Sequence, residues 1–126
     1  MTTQSGQLNV FSFRNRNTSD IQRVRLFECD ELHASLLVLP PGAAVESHTD
    51  AGSNELFDVL EGTGQFTVEG RTFRGDPGKC VFVPAGSLHS LHNDGDTLWT
   101  LRVTRQECIR PRHFGKIVKR SVRRLI

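Results

Sequence analysis

The chain has 126 residues, of which 37% are hydrophobic and 24% charged, and a formal net charge of +2. That composition fits one globular domain and excludes a disordered chain, and no apolar run is long enough for a helical membrane span. The small net charge hides an asymmetry: seven of the 16 basic residues (Arg110, Arg112, Lys116, Lys119, Arg120, Arg123, Arg124) lie in 110–126, which has no acid, so the other nine share the body with all 14 acidic residues.

Residues 1–6 have neither the basic region nor the apolar stretch of a signal peptide. The three cysteines, Cys29, Cys80 and Cys108, form no C-x-x-C and cannot all pair within one chain, so a reducing, cytoplasmic setting is expected. Residues 8–13 alternate, with Leu8 and Val10 on one parity and Phe11 and Phe13 on the other. Such a segment is an aggregation-prone edge unless paired. Short strands are predicted over 22–27, 34–39, 55–60, 64–68, 80–83 and 98–103. Turn signals separate them, among them Pro40-Pro41-Gly42, Gly62-Thr63-Gly64 and Asp94-Gly95-Asp96. Regular punctuation of this kind points to an antiparallel sandwich or barrel with its core over about 20–108. Within 98–103, Trp99, Leu101 and Val103 share one face and Arg102 the other, from which Arg102 could line a barrel mouth and bind a substrate carboxylate. The remaining 109–126 is a basic appendage. Phe114, Val118, Val122 and Leu125 recur there at helical spacing, with Ile126 extending the stripe, so a short amphipathic basic helix is expected. Docking on the barrel or on a partner subunit is favoured over contact with nucleic acid or an anionic surface.

Four side chains carry chemistry: His48, Asp50, Glu55 and His89. On a strand, positions 48 and 50 share a face. Two imidazoles with carboxylate form a ligand set for a divalent transition metal: Fe(II), Mn(II), Ni(II) or Zn(II). Cys80, on a strand, is expected as a small core residue, and His33, His92 and His113 as surface groups.

The residues around these four make longer patterns: Gly42-x5-His48-x-Asp50-x4-Glu55-x6-Gly62, then Gly78-x5-Pro84-x-Gly86-x2-His89-x3-Asn93. Together they resemble the paired motifs of the cupin superfamily, G-x5-H-x-H-x3-4-E-x6-G and G-x5-P-x-G-x2-H-x3-N. Every fixed position matches except one, where Asp50 replaces the second histidine. The resemblance implies a single all-β domain, a double-stranded β-helix or jelly-roll barrel. It also implies a metal inside it held by His48, Asp50, Glu55 and His89. With two carboxylates the site would neutralise a divalent ion and favour Mn(II) or Fe(II); alternatively the shorter Asp50 stands behind three ligands. The resemblance further implies a homodimer and a small molecule bound or transformed in the barrel. The family's reactions include oxygenation, isomerisation and lyase chemistry, and nothing in the residues selects among them. Two alternatives remain: a non-catalytic barrel that binds a small ligand, and an interaction protein using its basic tail.

Overall fold

The computed structural model describes residues 5–108. The amphipathic helix expected over 109–126, and His113 with it, lies outside the described residues. Nine strands form the barrel: β1 Gln22–Cys29, β2 Leu32–Leu39, β3 Ala44–His48, β4 Ser53–Glu61, β5 Gly64–Val68, β6 Arg71–Gly75, β7 Cys80–Val83, β8 His89–His92 and β9 Trp99–Glu107. They build a five-stranded sheet in the order β1-β2-β9-β4-β7 and a four-stranded sheet in the order β3-β8-β5-β6. Every pairing is antiparallel.

The six predicted strands are all present, and three more appear. β3, β6 and β8 are short and carry little hydrophobic alternation: β3 reads Ala-Val-Glu-Ser-His, β6 Arg-Thr-Phe-Arg-Gly and β8 His-Ser-Leu-His. Their partners hold them in place, β8 lying between β3 and β5. The N-terminal segment also departs from expectation. Val10–Phe13 is a short 3-10 helix and not a strand, because the Asn9 side chain accepts from Phe11 N–H (3.0 Å) and caps the turn. Leu8, Phe11 and Phe13 remain exposed.

The core fills the space between the sheets. Leu37 and Leu39, Phe57 and Val59, and Trp99, Leu101 and Val103 point in from the larger sheet, where they meet Phe66 and Leu91. Strand periodicity does this: the odd-numbered residues over 53–59 in β4 and over 99–105 in β9 face inward, up to the register shift that follows Val59. Trp99 plugs the closed end. Its ring packs edge-on against Phe66 with centroids 5.4 Å apart, and its indole N–H donates to Gly75 O at 3.0 Å, tying β9 to β6 across the barrel. Glycine is required nearby. A Cβ at Gly62 would lie 2.0 Å from Leu98 O, and φ there is +79°; a Cβ at Gly64 would lie 2.4 Å from the Trp99 ring.

Asn93, the last motif residue, is wholly buried. Its side-chain amide donates to Leu39 O and Thr97 O, each at 2.8 Å, and its oxygen accepts from Gly95 N–H at 2.9 Å. One side chain thereby fixes the 93–97 loop and joins it to the end of β2. Cys80 does not enter the core, correcting the sequence expectation: on β7 it takes the outward parity with Phe82, and both are exposed. All three cysteines are free. Among the described residues no helix is long and apolar enough to cross a membrane.

Candidate functional site

The inner face of the five-stranded sheet changes character along its length. Trp99, Leu39 and Val59 close one end. At the other end the same parity places Glu55 on β4, Arg105 on β9, His33 on β2 and Arg25 and Arg23 on β1. Register aligns them: Glu55 pairs with Arg105, Arg105 with His33, and Arg25 with Ser35. From the facing sheet come His89 on β8 and His48 on β3, which are register partners. A cavity of about 320 Å³ lies between the sheets and is lined by the charged and imidazole side chains just named, but not by Trp99, Leu39 or Val59.

The turn between β7 and β8 aims His89. β7 stops at Val83, before Pro84. Gly86, at φ +87°, donates its N–H to Asp50 O (2.8 Å), and Ser87 N–H closes the turn on Pro84 O (3.1 Å). His89 is then 2% exposed. Its Nδ1 lies 2.9 Å from Ser87 O, and His48 Nδ1 lies 2.9 Å from Glu46 O. A carbonyl only accepts, so each Nδ1 carries a proton, and in the neutral ring each Nε2 keeps its lone pair. The two rings stand 4.3 Å apart, tilted by 50°.

His89 Nε2 faces Glu55 Oε1 at 3.2 Å. Both atoms are buried, and neither makes a well-formed hydrogen bond. With His89 neutral, two lone pairs oppose one another, an arrangement that calls for a proton or a metal ion. The same closeness shows in the acidity of His89, whose pKa is raised above its ordinary value chiefly by Glu55; burial opposes the rise and the Ser87 carbonyl supports it. The other Glu55 oxygen, Oε2, lies 2.9 Å from Arg105 Nε. Arg105 also pairs with Asp50 Oδ2, and Asp50 Oδ1 accepts from Gly52 N–H at 2.9 Å. Burial lowers the Arg105 pKa, with the charges of Arg25 and Arg23 acting the same way and Glu107 against.

The donor chemistry fits a divalent transition metal. Two imidazole Nε2 atoms, each oriented by a backbone carbonyl, and one buried carboxylate oxygen form a suitable set with positions left open. The 3.2 Å between His89 Nε2 and Glu55 Oε1 lies within the ~3.0–3.4 Å expected for adjacent donors ~2.1 Å from one ion. Among the described residues, however, no group of three or more His, Cys, Asp or Glu side chains is already placed to hold a metal ion.

Asp50 stands apart from the other three. β3 ends at His48, so the two-residue periodicity that would align position 50 with it does not apply, and Asp50 starts a turn with both oxygens engaged. Arg102 does not line the cavity. It lies on the outward face of β9, opposite Asp58, and pairs with it at 3.3 Å. His33 corrects the surface expectation: it lines the cavity, its side chain is 12% exposed, and its Nε2 lies 3.5 Å from Glu107 Oε2. His92 is exposed as expected. The site residues missed in the sequence were Arg23, Arg25 and Arg105. Their signal was parity: Arg105 continues the inward series of Trp99, Leu101 and Val103, and Arg23 and Arg25 alternate with the apolar Val24 and Leu26.

The family model described as "Cupin domain" matches residues 35–103. The oxalate-binding protein of Thermotoga maritima is 36% identical over 59 residues, 47% of this chain and 49% of that protein, so the match spans about half of the relative's length. Two solved structures share the fold. TT1209 of Thermus thermophilus superimposes with a TM-score of 0.75 at 24% identity, over 80% of this chain and 96% of that one. The Cnp3 cupin domain of Schizosaccharomyces pombe does so with a TM-score of 0.70 at 23% identity, over 78% and 72%.

Proposed function

Because the chain belongs to the cupin domain family, we propose that its barrel binds a divalent transition metal (Fe, Mn, Ni or Zn) through His48, Glu55 and His89, and receives a small molecule beside it. One observation carries this reading: His89 Nε2 and Glu55 Oε1, both buried and without a well-formed hydrogen bond, face each other at 3.2 Å. A cation there removes their repulsion and satisfies both atoms. Asp50 holds Arg105, and Arg105 holds Glu55 Oε2, which leaves Oε1 for the ion. A bound ion of this kind polarises ligand oxygens and lowers the pKa of bound water. The protein supplies the rest. Ser87 O and Glu46 O fix the imidazole tautomers, and the Trp99, Phe66 and Leu101 floor closes the barrel behind the site.

Small-molecule binding is the activity we propose. The relative named for oxalate binding supports it, as does an open cavity at the lower end of the size range of small-molecule sites. We further propose that the barrel works as a homodimer, with the exposed Leu8, Phe11 and Phe13 covered in the pair. The test of the metal centre is the metal content of the purified protein and of His89→Ala. The wild type should carry about one equivalent per chain and the variant little; full retention by the variant contradicts the assignment.

A further inference from the structure

We infer that the cavity selects a small anion bearing a carboxylate or phosphate, and that Arg23 is its principal anchor with Arg25 beside it. The inference rests on the proposed metal centre for where the far end of the ligand lies, and on β1 for its recognition.

The β1 register turns Arg23 toward the Leu37 face and Arg25 toward the Ser35 face, the inner face of the sheet. Level with Arg23 the next two strands carry the apolar Leu37 and Leu101, and level with Arg25 they carry Ser35 and Val103. Two arginines two residues apart on that face, with Arg105 across the sheet, repel one another and contribute nothing to the core. The cavity walls hold three guanidinium groups and a single carboxylate, Glu55. Other carboxylates answer two of these arginines from outside the lining: Asp50 pairs with Arg105, and Glu28 with Arg25 at 2.6 Å. Glu107 similarly stands behind His33. Arg23, exposed to solvent and lining the cavity, has no side-chain partner among the described residues. His33 Nδ1 is buried in the same wall without a hydrogen bond. A planar fork left free over an excess of positive charge matches a carboxylate or phosphate, which it can grip in bidentate fashion. A divalent ion at Glu55 and His89 increases that excess.

The test uses the full chain, metal-free and Mn(II)-loaded, titrated calorimetrically with oxalate, malonate, inorganic phosphate and the neutral oxamide. An anion should bind in both forms, with oxamide at least about tenfold weaker. Arg23→Gln should lower anion affinity about 10- to 100-fold and Arg23→Lys by less, with Mn(II) affinity unchanged in both. Tighter binding of the dicarboxylates identifies a carboxylate ligand, and tighter binding of phosphate a phosphorylated one. Anion affinity in Arg23→Gln within about twofold of wild type, or equal binding of oxamide and oxalate, overturns the inference. Failure of the wild type to take up any of Mn(II), Fe(II), Ni(II) or Zn(II) overturns the metal centre separately, and the metal-free titrations still decide the role of Arg23.

Discussion

Replacing Asn93 tests how the second motif builds the barrel. In Asn93→Ala the backbone bonds of residue 93 to Gly42 and Ala43 persist. The three side-chain bonds, to Leu39 O, Thr97 O and Gly95 N, are lost. Leu39 O is buried with its donor gone, and an unsatisfied buried acceptor costs about 1–3 kcal/mol. Thr97 O and Gly95 N lie nearer the surface and recover part of their loss from water. The expected total is about 2–4 kcal/mol. At roughly 4 °C per kcal/mol for a domain of this size, melting should fall by about 8–16 °C. Asn93→Asp separates hydrogen bonding from volume. It keeps the shape, removes the NH2 donors and turns a negative oxygen toward two carbonyls, so it should melt at or below the alanine variant. Circular dichroism during heating and urea titration measures both. Melting of Asn93→Asp within about 2 °C of wild type would refute the role given to the amide donors.

Three further outcomes follow from the site. Asp50→Asn keeps an oxygen for Gly52 N–H but removes the charge that holds Arg105, so metal affinity should fall about 10- to 100-fold while melting changes little; unchanged affinity on metal titration would show that Arg105 does not position Glu55. In the metal-free protein the raised pKa of His89, caused mainly by Glu55, means that the protonated pair contributes its full stability below 6.5 and loses it as pH rises through the folded value. Metal-free wild type should therefore melt at lower temperature at pH 8 than at pH 6, a trend absent in His89→Ala. Sedimentation at micromolar concentration should show the dimer, and a single species of 14.1 kDa would exclude it.

Much of this architecture was legible in the residues because it rests on local rules. The strong alternation of Trp99, Leu101 and Val103 gave β9 its inner face, and Gly42, Gly62 and Gly78 all adopt the positive φ that their turns require. β3, β6 and β8 were not legible, since their pairing partners form them and not their own weak patterns. Asp50 shows the limit of periodicity: the face it would share with His48 exists only if the strand continues, and β3 ends at His48. The inward arginines went unread for a related reason. Parity gave their positions, but only the arrangement of β1 beside β2 and β9 shows that this parity faces a cavity. The Arg105 link between Asp50 and Glu55 joins residues far apart in the chain, so local spacing could not reveal it.

We propose that the buried pair His89 Nε2 and Glu55 Oε1, 3.2 Å apart, holds a metal ion. Elemental analysis of the full chain, purified without added metal and then dialysed against Mn(II), Fe(II), Ni(II) or Zn(II) with oxygen excluded for iron, tests it most directly. Wild type should hold about one equivalent of at least one of these ions, and His89→Ala and Glu55→Gln should hold almost none while remaining folded by circular dichroism. Wild type that binds none of the four, or variants that retain the ion in full, would contradict the account.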